Sequence, residues 1–373
     1  MIYLDNAATT LIKPDSVAAA AIKAMKTAAS PGRGSHEAAA RAAMLAYECR
    51  EEAASLFHTD KPENIVFCMN ATHALNIAIK SIARAGDTVV ISGFEHNAVT
   101  RPLHAIGAKT VIAGTKLFDP DAAVSAFDTA LKNGARLAII NHVSNVFGFI
   151  QPVEEIAEIC RKRKIPFIID ASQSAGALDI NFDALGADFI GMPGHKGLYG
   201  PQGTGLLLCR NSVSTLIEGG TGSNSKDAAM PDFLPDRLEA GTHNIPGIAG
   251  LTAGIKFVRQ VGTDRILKHE RKLLKEAVQR LQINSRLELY TPDNINGRNV
   301  QSGVLSFNVT GLPCEIAAEK LSEKGIAVRA GIHCAPTAHM SAGTIDKGTV
   351  RISFSVFNTS KDVARLAAAL DKL

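Results

Sequence analysis

Lys196 lies in the glycine-rich stretch GMPGHKGLYGPQGTG, directly after the apolar run ADFIGM. An ammonium group at the end of a buried strand is costly unless a partner or a reaction uses it. Other apolar runs end in polar groups as well. NIVFCM is followed by Asn70, Ala71, Thr72 and His73, DTVVIS by Glu95, His96 and Asn97, and RLAIINHVS by Asn145. IPFIID ends in Asp170, with Ser172 and Gln173 just beyond, and His195 adjoins the lysine. An unprotonated amine attacks carbonyl carbon, a carboxylate fixes a positive charge, and imidazole moves protons near neutral pH. A thiol joins them: Cys334, in RAGIHCAP, follows glycine and histidine in a polar, proline-containing segment, where a thiolate can act as a nucleophile.

Each group has an ordinary structural reading. Thr72 at a helix start caps it, Asp170 turns the chain at a strand end, and His96 is a satisfied polar residue. The elements that carry them argue for one shared place. Strands over 64–69, 87–92, 136–144, 165–170, 187–192 and 204–210, with a further candidate at 109–114, alternate with helices such as ATHALNIAIKSIARAG and VEEIAEICRKRK. Continuous apolar strands separated by helices predict a mostly parallel sheet covered on both faces, with functional groups just past its carboxyl ends. Two alanine-rich helices precede this pattern, joined by the loop ASPGRGSH with Arg33 and His36. In the second, Leu45, Cys49, Ala53 and Leu56 form one apolar stripe.

After about residue 250 the texture changes. LKHERKLLKEAVQRL is a long amphipathic helix, followed by a strand SGVLSFNV, a helix EIAAEKLSEK, strands IAVRA and VRISFSVF, and a last helix whose Thr359 and Asp362 form a candidate capping box. The expected division is a large cofactor-binding domain over residues 15–249, with residues 1–14 and 250–373 forming a smaller α+β domain that carries Cys334.

Bulk properties exclude several classes. The 40 basic and 36 acidic residues are well mixed, giving a net charge of +4 with no basic stripe, so nucleic acid is not an expected partner. No window approaches the roughly 20 apolar residues of a membrane span, and the N-terminus does not read as a secretory signal. Six scattered cysteines, none in a CxxC pair, point to a thiol-reducing, cytoplasmic setting. GPQGTG precedes a strand and opens no helix, so it is not a dinucleotide motif, and no P-loop is present. His333, Cys334 and His339 cluster, but at no zinc-like spacing, so no metal site is expected.

Taken together, the lysine, the strand-end aspartate, the histidine and the helix start match the needs of pyridoxal 5'-phosphate. That cofactor requires an amine for its Schiff base, a carboxylate beside its pyridine nitrogen, and a helix N-terminus for its phosphate.

The motifs YLDNAATT, FEHNAV, HVSNVFG, DASQSAG, PGHKGLYGPQGTG, LEAGT and RAGIHCAP…VRISFSVFNT, in order from residue 3 to residue 359, resemble the class V aminotransferase superfamily. Within it they resemble the cysteine desulfurases of the short-active-loop group, related to SUF-type enzymes and selenocysteine lyases. The resemblance implies a homodimer of the pyridoxal-phosphate fold type I, a mostly parallel α/β large domain with a smaller α+β domain. It implies that Lys196 is the Schiff-base lysine and proton shuttle, that Asp170 pairs with the pyridine nitrogen, and that His96 stacks on the ring. Asn145 would approach the substrate carboxylate and the cofactor edge, and Gln173 the ring's phenolic oxygen. Ala71, Thr72, the His73 backbone N–H and His195 would hold the phosphate, and Thr242 would reach the phosphate of the neighbouring subunit. Arg351 would clamp the substrate carboxylate as a bidentate fork, with Arg329 a secondary candidate. Cys334 would attack the sulfur of L-cysteine, keep it as a persulfide and release alanine, with His333 helping to activate the thiol.

The implied role is sulfur supply for iron–sulfur cluster or thio-cofactor assembly, often through a separate acceptor protein. Selenocysteine lyase, cysteine sulfinate desulfinase, a transaminase or epimerase reaction, and a non-enzymatic cofactor-binding module are the alternatives. Three positions depart from the family pattern. Pro193 stands where many relatives carry a phosphate-binding serine, His73 where glutamate is common, and Ile332 where a second histidine is frequent.

Overall fold

A computed structural model of the chain describes every residue except Arg33, Ser212, Asn296 and Arg298. Arg33, singled out above with His36, therefore lies outside the described residues. His36 caps the helix Glu37–Leu56 by accepting from the Ala39 N–H.

The chain begins with a short strand, β1 (Ile2–Tyr3), and then builds a seven-stranded sheet from β2 (Ile65–Cys68), β3 (Thr88–Ser92), β4 (Lys109–Ala113), β5 (Leu137–Asn141), β6 (Phe167–Asp170), β7 (Phe189–Pro193) and β8 (Gly205–Cys209). Its order is β2-β8-β7-β6-β5-β3-β4, and only β8 runs antiparallel to its neighbours. The sheet is buried on both faces because its strands are apolar at successive positions. Leu137 and Ile139 of β5 pack with Leu75, Ile77 and Leu103 on one face, while Ala138 and Ile140 pack with Ala53, Phe127 and Ile156 on the other. Side chains alternate along a strand, so both sets must be apolar if both faces are covered.

A four-stranded antiparallel sheet follows from β9 (Leu287–Tyr290), β10 (Val304–Val309), β12 (Arg329–Gly331) and β13 (Thr349–Ser353), in the order β12-β13-β10-β9. Between its strands, β11 (Ile326–Ala327) pairs in parallel with β1, so the N-terminal arm is stitched to the C-terminal third of the chain. The expected single strand IAVRA is thus two strands in two sheets. VRISFSVF leaves the sheet after Ser353, and the helix expected to run to Gly86 ends at Ile82. The Thr359–Asp362 capping box is present in full.

The helix Ile245–Val261 runs without a break across residue 249. Its Ile245, Ile248, Ala249, Leu251 and Ile255 are buried in the cluster that covers the large sheet. A boundary at 249 and 250 therefore falls inside this helix, and we propose that the large unit extends to Gly262.

The turn that presents Lys196 is set by close packing. A Cβ on Gly197 would stand 2.3 Å from the Ala175 carbonyl oxygen, and one on Gly176 would stand 2.1 Å from the Gly197 carbonyl oxygen. The segments DASQSAG and PGHKG touch backbone to backbone, which only glycine permits. Gly197→Ala should cost about 1–3 kcal/mol through overpacking, read as a lower urea midpoint with unchanged slope. An unchanged midpoint would show that this contact does not hold the lysine turn.

Candidate active site

Four strand ends and one helix start meet at the carboxyl edge of the large sheet. β3, β5, β6 and β7 end at Ser92, Asn141, Asp170 and Pro193, and the helix Ala71–Ile82 begins just past β2. Together they line a cavity of about 210 Å³ with Ala71, Thr72, His96, Asn145, Asp170, Gln173, Pro193, His195 and Lys196 on its wall. Ala8, Asn70 and Ser172 also line it; Asn70 and Ser172 stand among the strand-end polar groups of the sequence, and Ala8 does not. Asn70 was legible as a cap, since asparagine before an apolar helix is a common N-cap.

Burial lowers the Lys196 amine from its ordinary 10.5 to about 8, against the opposing pull of the Asp170 carboxylate. Asp170 is buried and its Oδ1 accepts from the Ser172 N–H at 2.9 Å. Beside it, Glu95 is fully buried and its carboxyl is pushed up to about 8 by burial, with the Asp170 charge adding to the shift. Glu95 is therefore neutral at pH 7 and adds no second negative charge to this corner.

His96 caps the helix Asn97–Ala105: its Nδ1 accepts from the Ala98 N–H at 3.0 Å. That bond assigns the proton of the neutral ring to Nε2. Burial lowers its pKa, so the ring is neutral at pH 7. His195 is pushed down to about 4 by burial and by the neighbouring Lys196 and Lys13 charges, and its Nδ1 is buried without a partner among the described residues.

At the helix start, the Asn70 side chain accepts from the His73 N–H at 2.9 Å. The His73 N–H, expected to hold a phosphate, is thus already satisfied, and its imidazole accepts from the Met69 N–H at 3.3 Å. The N–H groups of Ala71 and Thr72 are the ones left without an intrahelical acceptor. His73 instead lines a second cavity of about 220 Å³, together with Thr242. Neither belongs to the wall around Lys196.

Gln173 donates its Nε2 to the Ala7 carbonyl at 2.9 Å and so ties the cavity to the N-terminal arm. Asn145 donates its Nδ2 to the His333 carbonyl at 2.8 Å, and its buried Oδ1 has no partner among the described residues. An amide oxygen accepts hydrogen bonds and repels a carboxylate. In this arrangement Asn145 offers an acceptor where the sequence reading expected contact with a substrate carboxylate.

Cys334 is the exposed cysteine, and it lies on a cavity of about 310 Å³ that shares Thr72, His96 and Ala98 with the Lys196 cavity. Two successive non-glycine residues, His333 at φ 51° and Cys334 at φ 56°, adopt the left-handed conformation there. The turn is held by the Asn145 contact and by the Asn97 N–H, which donates to the Cys334 carbonyl at 2.7 Å. His333 was expected to help activate the thiol. Burial pushes its ring down to about 2, and Nε2 lies 3.1 Å from the Thr349 carbonyl, so it presents no imidazolium to Cys334. His339 stacks on His333 and its Nδ1 lies 2.7 Å from the Thr344 hydroxyl. Among the described residues no group of three or more histidine, cysteine or acidic side chains is placed to hold a metal ion. No helix among them is long and apolar enough to cross a membrane.

Arg351 stands behind the cavity wall, buried, with Nη1 donating to the Asn145 carbonyl at 2.8 Å and Nη2 to Asp5 at 2.9 Å. Arg329 forms a two-pronged pair with the same Asp5. The expected open fork on Arg351 is therefore partly engaged by the protein itself.

The family described as aminotransferase class-V matches residues 2–366. A probable cysteine desulfurase of Methanothermobacter thermautotrophicus is 34% identical over all of this chain and 94% of its own length, and one of Pyrococcus abyssi is 33% identical with the same coverage. The solved cysteine desulfurase of Thermococcus onnurineus, in its apo form, superposes with a TM-score of 0.90 at 32% identity, covering all of this chain and 94% of that one. The cysteine desulfurase CsdA of Escherichia coli gives 0.85 at 25% identity, covering 99% of this chain and 94% of that one.

The Lys196 titration is directly testable. Its amine is mostly ammonium at pH 7 and becomes a nucleophile as pH rises through about 8. Asp170 raises this value, so Asp170→Asn should lower the midpoint further. NMR titration of the protein after reductive ¹³C-methylation reads it. A midpoint near the ordinary lysine value, or an upward shift in the variant, would contradict the electrostatics described.

Proposed function

The chain belongs to the aminotransferase class-V family and, within it, to the cysteine desulfurases, and on that premise we propose that it converts L-cysteine to L-alanine with pyridoxal 5'-phosphate, leaving the sulfur on Cys334. One observation carries the reading. A buried amine, a carboxylate and a helix N-terminus line one cavity, and the exposed thiol stands on an adjoining cavity that shares its wall.

The residues present fit the cofactor. Lys196 supplies the amine for covalent attachment, and Asp170 supplies a carboxylate for a protonated pyridine nitrogen. The free N–H groups of Ala71 and Thr72 suit a phosphate, as does the helix dipole behind them. His195 Nδ1 and Asn145 Oδ1, buried and unpartnered, are polar positions that a bound molecule would satisfy. Pro193 offers neither a hydroxyl nor an N–H, so the phosphate contacts on this reading would come from the helix start and His195. When bound, pyridoxal phosphate supplies an electron sink that makes the substrate's Cα proton acidic and its sulfur open to attack.

The protein's own groups then do the following. Lys196, whose amine is pushed down to about 8 by burial, would take and return protons at the substrate carbon near neutral pH. His96, which lines both cavities, would pack its neutral ring against the cofactor, between it and Cys334. The Cys334 thiolate forms an S–S bond to the substrate sulfur as the Cβ–S bond breaks. The carbon keeps the electron pair, takes a proton and leaves as alanine. The sulfur then awaits an acceptor thiol, which returns Cys334 to its starting state. That acceptor can be a separate protein, and iron–sulfur or thio-cofactor assembly is the expected use. In a homodimer Thr242 of one subunit would complete the phosphate site of the other, consistent with its place outside the Lys196 cavity.

Cys334→Ala should lower alanine formation from L-cysteine at least about a hundredfold while the yellow cofactor band is kept. Wild-type protein treated with L-cysteine should gain the mass of one sulfur atom on the peptide containing Cys334. Assaying L-selenocysteine and cysteine sulfinate alongside separates the related activities. Full activity of Cys334→Ala on L-cysteine would overturn the persulfide route.

A further inference from the structure

Arg329 and Arg351 are direct partners across the antiparallel pair β12 and β13. Like charges directly opposite on neighbouring strands are destabilising, and one of these two is buried. A single anion relieves them. Asp5 accepts from Arg329 Nε at 3.0 Å, from Arg329 Nη2 at 2.9 Å and from Arg351 Nη2 at 2.9 Å. Its position is fixed by its neighbours in the arm: the Ser353 N–H donates to the Leu4 carbonyl at 2.8 Å, the Ala7 N–H to the Ser353 hydroxyl at 2.8 Å, and Asn6 Nδ2 to the Ser353 carbonyl at 2.8 Å.

The charge count is uneven. Two guanidiniums face one carboxylate, so one positive charge remains over. The unused hydrogen-bonding capacity includes Arg351 Nε, which is buried and unpartnered among the described residues. Arg351 also donates to the carbonyl of Asn145, a residue on the Lys196 cavity wall. An excess cation with an unused donor, adjoining a cavity that would take an amino acid, suits an α-carboxylate.

We infer that Asp5 is a positioning residue for the substrate carboxylate: by bridging Arg329 and Arg351 it holds Arg351 against the Asn145 carbonyl of the cavity wall, with Nε left unpartnered for the amino-acid substrate. This rests on the cysteine desulfurase reading. Asp5 touches neither substrate nor cofactor and acts through Arg351. The rival outcome is that Asp5 competes with the substrate for Arg351. The two differ in sign, because removal of a positioning anion weakens carboxylate binding and removal of a competitor strengthens it.

The test uses cofactor-loaded wild type, Asp5→Asn and Asp5→Glu. Asparagine keeps the shape and removes the charge, and glutamate restores the charge on a longer arm. In Asp5→Asn, KM for L-cysteine should rise roughly tenfold to a hundredfold, the factor carried by one charged hydrogen bond, with a smaller change in kcat. The Kd of L-alanine, read from the visible band, should rise alike. That of ethylamine, which lacks the carboxylate, should stay within a factor of two or so. Asp5→Glu should recover part of the loss. Thermal unfolding of the unloaded variants checks that each is folded.

Tighter L-alanine binding in Asp5→Asn, or equal losses for L-alanine and ethylamine, would overturn the inference. So would an unfolded Asp5→Asn together with a folded Asp5→Glu whose L-alanine to ethylamine preference matches wild type. Inactivity of the wild type on L-cysteine would instead count against the desulfurase reading, since L-alanine and ethylamine binding is measured independently of turnover.

Discussion

Burying an ammonium group governs the design of this molecule. Transfer of a charge from water into protein is unfavourable by several kcal/mol unless partners compensate. Lys196 meets that cost in part, through Asp170, and the remainder appears as an amine whose proton is lost near pH 8. Full compensation would leave a permanently charged and unreactive lysine. No compensation would leave a neutral one at all pH values of interest. The sheet sets this intermediate state by its topology. β6 and β7 are parallel neighbours with Asp170 paired to Gly191, so the aspartate and the turn that follows β7 emerge at the same edge.

The rest of the site follows from hydrogen bonds that are already spent. Asn70 takes the His73 N–H, His96 Nδ1 takes the Ala98 N–H, and Asn145 Nδ2 is fixed on the His333 carbonyl. Each of these bonds leaves a defined group over: two N–H groups at the helix start, the far side of an imidazole, one amide oxygen. Backbone polar groups must be satisfied in a buried region. On the proposed function, these leftover groups are the ones a ligand would meet.

Much of this was legible in the sequence because it depends on local pattern. Apolar runs that lead into Asp170, His96 and Asn145 place those residues at one sheet edge from sequence alone, and the structure puts them on one cavity wall. What escaped depended on contacts between distant segments. Asp5 meets Arg351 across 346 positions, and nothing local in YLDNAATT marks its side chain as the partner of two arginines. The split of IAVRA between two sheets is likewise set by pairing partners, β1 for one half and β13 for the other. His333 was misjudged for a third reason. Its sequence neighbourhood is polar, but burial decides its protonation, and burial is a tertiary property. The helix after Asn244 likewise keeps its apolar face on the large sheet past residue 250, through Leu251 and Ile255, a tertiary contact that the change of texture in the sequence does not reveal.

The six cysteines show how burial assigns chemistry without any motif. Cys49, Cys160 and Cys209 are pushed up to about 12, Cys314 to about 11, and Cys68 well above its ordinary value, in each case chiefly by burial. At neutral pH these thiols stay protonated and inert as nucleophiles. Cys334 alone is exposed, on a turn whose left-handed backbone is held by Asn97 and Asn145. Those two residues also belong to the cavities on either side of His96, since Asn97 lines the one with Cys334 and Asn145 the one with Lys196. The turn is therefore tied to both compartments at once.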